Sequence, residues 1–136
     1  MADRKRVLVA DDDVDLVDLL SLDLAHQGFE VLTASNGKEV LQILRDQKVD
    51  LILLDVMMPY MDGYHVAFEI SSKMGDSSPK ILLITSRDLA KEKGVALLSG
   101  AHDHLQKPFE LDDLHKKVSE LLGGADGKEA AKSPVA

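Results

Sequence analysis

Three unbroken apolar runs stand out along the chain, at residues 7–10, 51–54 and 81–84. None shows polar alternation, so each predicts a short strand buried on both faces. FEVLTA at 29–34 predicts another strand, and residues 102–106 a short fifth one. Helical spacing separates them. After Asp13, a plausible N-cap with Asp15 close to the positive helix start, Leu16, Leu19, Leu20 and Leu24 recur at that spacing. Asp15, Asp18 and Ser21 are then expected on the wet side, and Gly28 ends the helix. Asn36-Gly37-Lys38-Glu39 has the spacing of a capping box, followed by the stripe Val40, Ile43 and Leu44. A third helix is expected after Asp62, with Val66, Ala67 and Ile70 inward, and residues 75–79 read as a loop. A weaker helix is expected over 89–99, interrupted by Gly94, with one of Leu97 and Leu98 left exposed. Leu111, Leu114, Val118 and Leu121 or Leu122 stripe the last helix.

Strand–helix repeated five times predicts an open parallel sheet, doubly wound, with helices on both faces. Right-handed crossovers bring every strand's C-terminal end to one edge, and the ligand crevice of such folds lies outside those ends. One domain over 1–123 is expected, with 124–136, rich in Ala, Gly, Lys and Glu, read as a disordered tail or linker stub.

Composition narrows the function. A net charge of −8 without a basic stripe argues against direct nucleic-acid binding. The absence of Cys removes disulfides, zinc thiolates and thiol catalysis, and a cytoplasmic setting is expected. No run is long enough to span a bilayer, so no membrane contact is expected.

The chemistry lies at the predicted strand ends. The first strand ends in Asp11 and Asp12, the third in Asp55, the fourth in Thr85 and Ser86, and the fifth in Lys107. The second offers only Ser35 and Asn36, which fit capping. Any one of these residues alone reads as an ordinary cap or turn. Together they bring three carboxylates, two hydroxyls and an ammonium to one edge. Clustered carboxylates repel unless a cation sits among them, and an all-oxygen set favours a hard ion such as Mg²⁺. An aspartate beside such a cation can act as a nucleophile toward phosphorus.

The motifs VLVADDD (7–13), LLDVMMPYMDG (53–63), LLITS (82–86) and HLQKPF (104–109) make the sequence resemble a receiver domain of a two-component response regulator, of the chemotaxis-receiver type. The resemblance extends from Arg6 to about Leu122. It implies a flavodoxin-like fold with strand order 2-1-3-4-5. It further implies that Asp55 accepts a phosphoryl group from the phosphohistidine of a histidine kinase or phosphotransfer protein. Asp12 would bind Mg²⁺ (Mn²⁺ could substitute) directly and Asp11 mainly through water, with Asp55 and the backbone carbonyl of Met57 as further ligands. Thr85 and Ser86 would contact the phosphoryl group, Thr85 switching rotamer, and Lys107 would pair with it, with a cis peptide before Pro108. The face made by the fourth helix, fifth strand and fifth helix would then control a partner or a removed output domain, in a monomer or a phosphorylation-dependent dimer. This is signalling rather than turnover.

Two departures from the family pattern are visible. His104 occupies the switch position where Tyr or Phe is usual. Met57 and Arg87 hold the two positions that govern water's access to the acyl phosphate, and neither can orient an attacking water as a carboxylate or carboxamide would; self-dephosphorylation is expected to be slow. An aspartyl-phosphate phosphatase resembling haloacid dehalogenases would carry a general-acid aspartate where Met57 stands, and would need a cap domain. A nucleotide-binding module would need a glycine-rich loop after the first strand. A degenerate receiver would lack one of Asp11, Asp12, Asp55, Thr85 and Lys107, all of which are present.

Overall fold

The computed structural model describes residues 4–88 and 91–123. The expected tail at 124–136 lies outside the described residues, as do Leu89 and Ala90 of the expected fourth helix. The elements run β1 (Arg6–Ala10), α1 (Val14–His26), β2 (Glu30–Ala34), α2 (Gly37–Asp46), β3 (Leu51–Asp55), α3 (Gly63–Met74), a single 3₁₀ turn (Gly75–Ser77), β4 (Lys80–Thr85), α4 (Lys93–Leu98), β5 (Asp103–Gln106) and α5 (Leu111–Leu122). All strand pairings are parallel, in the order β2-β1-β3-β4-β5.

The unbroken apolar runs are explained by two cores, one on each face of the sheet. Leu8, Ala10, Ile52, Leu54, Ile81 and Leu83 point toward α2 and α3, where Val40, Val66, Ala67 and Ile70 meet them. Val7, Val9, Leu51, Leu53, Leu82 and Ile84 point toward α1 and α5, against Leu20, Leu24, Leu114 and Val118. Successive strand residues alternate between the two, so a central strand needs an apolar side chain at every position. Side chains of this size contribute roughly 1.5–3 kcal/mol each when fully buried.

Three local expectations are corrected. In α1 the expected Leu16, Leu20 and Leu24 do face the sheet, joined by Val17 and Ser21 in place of Leu19. Leu19 is half exposed, and Ser21 is half-buried with its hydroxyl shielded from solvent. With seven apolar side chains from Val14 to Leu24 competing for one stripe, the helix settles with Val17, Leu20, Ser21 and Leu24 on the sheet and Leu16 at its border. In α4 both Leu97 (71%) and Leu98 (81%) are exposed, because the small residues Ala96 and Ser99 take the inward positions. The Asn36 side chain caps α2 by accepting from Glu39 N–H at 2.9 Å. Glu39, however, reaches back one residue further than in a capping box, to Ser35 N–H at 2.7 Å.

Candidate functional site

Each site residue is placed by the end of a strand. Asp11 follows β1 and is buried; Asp55 is the last residue of β3 and only 4% exposed; Thr85 ends β4 and is fully buried. Lys107 follows β5, its N–H donating to the Thr85 carbonyl at 2.7 Å, and the Lys107–Pro108 peptide is cis as expected. Because β1, β3, β4 and β5 are consecutive in the sheet, these ends converge at one mouth.

The carboxylates converge closely. One oxygen from each of Asp11, Asp12 and Asp55 lies within 4.8 Å of the others, with Asp12 exposed and the other two buried. Lys107 Nζ lies 2.9 Å from Asp11 Oδ2 and 3.8 Å from Asp55 Oδ2, so one ammonium faces two buried carboxylates. The other oxygens have backbone donors: Asp13 N–H to Asp11 Oδ1 at 2.9 Å, and Met57 N–H to Asp55 Oδ1 at 3.2 Å. Asp13 itself caps α1, accepting from Leu16 N–H, as its position after the acidic pair suggests.

Burial pushes the Asp55 carboxyl up to about 7, with the charge of Asp11 acting in the same direction; Met57 N–H and Lys107 oppose them. For Lys107, burial favours loss of the proton, but the hydrogen bond to Asp11 and the nearby charge of Asp55 outweigh it and raise its pKa. A site with this excess of negative charge and all-oxygen donors fits a hard divalent cation. Asp11, Asp12 and Asp55 are the carboxylates available to hold it.

The backbone beside Asp55 is tightly shaped. Gly63, the first residue of α3, donates its N–H to the Val56 carbonyl at 2.8 Å. A Cβ on Gly63 would come within 2.4 Å of the Asp55 carbonyl oxygen. Glycine at 63 is therefore what lets α3 start against the end of β3.

Two predicted site residues stand apart from this cluster. Ser86 is exposed at the β4 end. His104 is exposed on β5, and with Leu97, Lys93 and His102 it lines a cleft of about 710 Å³ between α4 and β5. A network that the sequence reading missed lies across the mouth. Thr85 Oγ1 accepts from Arg87 N–H at 3.1 Å; the Arg87 guanidinium pairs with Glu92; and Tyr64 Oη donates to Glu92 Oε1 at 2.6 Å. Burial, reinforced by Glu92, pushes the Tyr64 phenol up to about 12. No periodicity or motif signals a contact between residues 64 and 92.

Comparison with known proteins agrees with this fold. Residues 7–119 match the family described as response regulator receiver domain. The response regulator MprA of Mycobacterium sp. strain KMS is 38% identical over 130 residues, which are 96% of this chain and 56% of that protein. This chain thus spans about half the length of the curated relatives it matches. The response regulator protein TrrA of Thermotoga maritima, solved in complex with Mg²⁺-BeF, superposes with a TM-score of 0.78 at 36% identity, over 86% of this chain and 98% of that one. A response regulator from Chloroflexus aurantiacus gives 0.82 at 31% identity, over 88% and 98%.

Proposed function

Since this chain belongs to the response regulator receiver domain family, we propose that Asp55 is its phosphoacceptor and that a histidine kinase or phosphotransfer protein is the donor. The observation that carries this reading is the buried Asp55 at the β3 end, with Asp11, Asp12 and Lys107 gathered on it. In the step proposed, an Asp55 carboxylate oxygen attacks phosphorus, the P–N bond of the phosphohistidine breaks, and the imidazole leaves with the electron pair and takes up a proton.

The chain's own groups have definable parts in this step. Met57 N–H fixes Asp55 Oδ1, which orients the carboxylate. Lys107 is 3.8 Å from Asp55 Oδ2 and can follow the new negative charge by leaving Asp11. Thr85 would hydrogen-bond a phosphoryl oxygen after rotating, with Ser86 beside it. Asp11, Asp12, Asp55 and the Met57 carbonyl would hold Mg²⁺, or Mn²⁺ in its place. The ion supplies charge neutralisation to the transferring group. Half-exposed Met57 and Arg87 flank the acyl phosphate without orienting a water, which supports slow self-dephosphorylation.

The reading places the protein in signalling rather than turnover. Phosphorylation would shift a pre-existing equilibrium and alter the face of α4, β5 and α5, where Leu97 and Leu98 are exposed. Residues 1–123 form the receiver in this reading, in a cytoplasmic setting, and the output lies in a partner or in a region beyond this sequence. The test is intact-protein mass after incubation with acetyl phosphate, with and without Mg²⁺, on wild type and Asp55→Asn. One phosphoryl group, dependent on both Mg²⁺ and Asp55, is expected; absence of labelling with Mg²⁺ shown to bind would defeat the reading.

A further inference from the structure

The Thr85 hydroxyl is engaged in the resting structure. It is fully buried and accepts from Arg87 N–H, a turn in which a Thr side chain bonds the backbone two residues on. Rotation of Thr85 toward a phosphoryl group breaks that bond, and the Arg87 amide then needs its segment to move to find another partner.

Arg87 is not free to move. Its guanidinium pairs with Glu92, and Glu92 also accepts from the Tyr64 hydroxyl. Glu92 stands at the N-cap of α4 yet makes no capping bond with its side chain, which is spent on Arg87 and Tyr64 instead. Tyr64 is anchored in turn. It follows Gly63, which is clasped to Val56 and pressed against the Asp55 carbonyl, and its ring packs on the core beside α3. A chain of contacts therefore runs from Thr85 through Arg87, Glu92 and Tyr64 back to the strand that bears Asp55.

We infer that Tyr64 and Glu92 are positioning residues for Thr85: they latch Arg87 in the resting arrangement, and so set how readily a phosphoryl group on Asp55 captures the Thr85 hydroxyl. The inference rests on the receiver reading above. It goes beyond that reading by naming an inhibitory contact outside the phosphorylation site. Releasing the latch shifts population toward the competent state, so weakening it speeds phosphorylation by a small donor that brings no docking energy of its own.

The experiment has two arms. Tyr64→Phe removes one link and Glu92→Gln weakens both by taking away the carboxylate charge, and initial labelling with acetyl phosphate at fixed Mg²⁺ is expected to rise about two- to tenfold, the range set by one ordinary hydrogen bond. Arg87→Ala, at a half-exposed position away from the core, should do the same. In the second arm, tyrosine is labelled with ¹³C at Cζ and the two resonances are assigned with Tyr60→Phe. Mg²⁺ with beryllium fluoride is expected to move the Tyr64 resonance, and Glu92→Gln to move it in the same direction with neither present. Wild-type labelling rates in all three variants would overturn the latch. So would a Tyr64 resonance that stays still while beryllium fluoride binds in an Asp55-dependent manner. A wild-type protein that takes up neither phosphoryl nor beryllium fluoride would overturn the receiver reading itself, and the latch with it.

Discussion

Replacing Asp55 by Asn should stabilise the metal-free protein. The folded carboxyl titrates at about 7, whereas its ordinary value is 3.8, because burial and Asp11 both disfavour its charge. Between these two values the folded state holds a proton that the unfolded chain releases. Folding stability of the wild type therefore falls as pH rises from about 4 to about 7, and is level above that range. The difference of about 3 units corresponds to a ceiling of about 4 kcal/mol at 1.36 kcal/mol per unit. Asn carries no charge at any of these pH values and keeps nearly the same shape. In EDTA at pH 8, Asp55→Asn should thus be more stable than wild type by about 2–4 kcal/mol, the lower figure allowing for water entry and movement of Lys107. At pH 4 the two proteins should be nearly equal. Urea unfolding followed by circular dichroism across pH 4–8 measures both, with Mg²⁺ added at pH 8 as the counter-experiment. Mg²⁺ should raise wild-type stability strongly and Asp55→Asn weakly, since binding to the folded state alone adds stability. Equal stability of the two proteins at pH 8, or a gap that does not close toward pH 4, would refute the electrostatic account of the site.

Gly63→Ala should cost about 1–3 kcal/mol by overpacking against the Asp55 carbonyl, and should lower acetyl phosphate labelling more than any other α3 substitution of similar thermodynamic cost. Lys107→Met should leave Asp11 and Asp55 without their shared cation; in EDTA at pH 8 a loss of about 3–5 kcal/mol is expected by denaturant unfolding, largely restored by saturating Mg²⁺. Asn36→Ala should cost about 1 kcal/mol through loss of the α2 cap, with labelling unchanged, because the cap follows β2, whose end contributes nothing to the acidic cluster.

The sheet was readable because its central strands are buried on both faces, which forces an apolar residue at every position of 51–54 and 81–84 and leaves a signature that no amphipathic helix shares. The site was readable for a related reason. In a parallel sheet, the residues at the C-terminal ends of the strands fall at one edge, so Asp11, Asp55, Thr85 and Lys107 could be grouped without knowing a single distance. The rotation of α1 was not readable, because leucines at 16, 19, 20, 22 and 24 leave several stripes nearly equal and the packing of the sheet decides among them. The exposure of both Leu97 and Leu98 follows from a helix only six residues long, too short for its periodicity to mark a face. The latch was hidden for another reason: Glu92 bonds a residue 28 positions earlier on a different helix, and only the fold brings them together.

The ammonium facing Asp11 comes from a residue 96 positions later in the chain. During synthesis the acidic residues of the first and third strands leave the ribosome long before their cation exists. Until translation passes residue 107, a nascent chain that closes β1 against β3 gathers negative charge with no lysine to offset it. The acidic edge of the sheet then lacks its counter-charge until β5 brings Lys107 to it. A half-made chain in this way carries the acidic cluster without the ammonium that faces it in the finished fold.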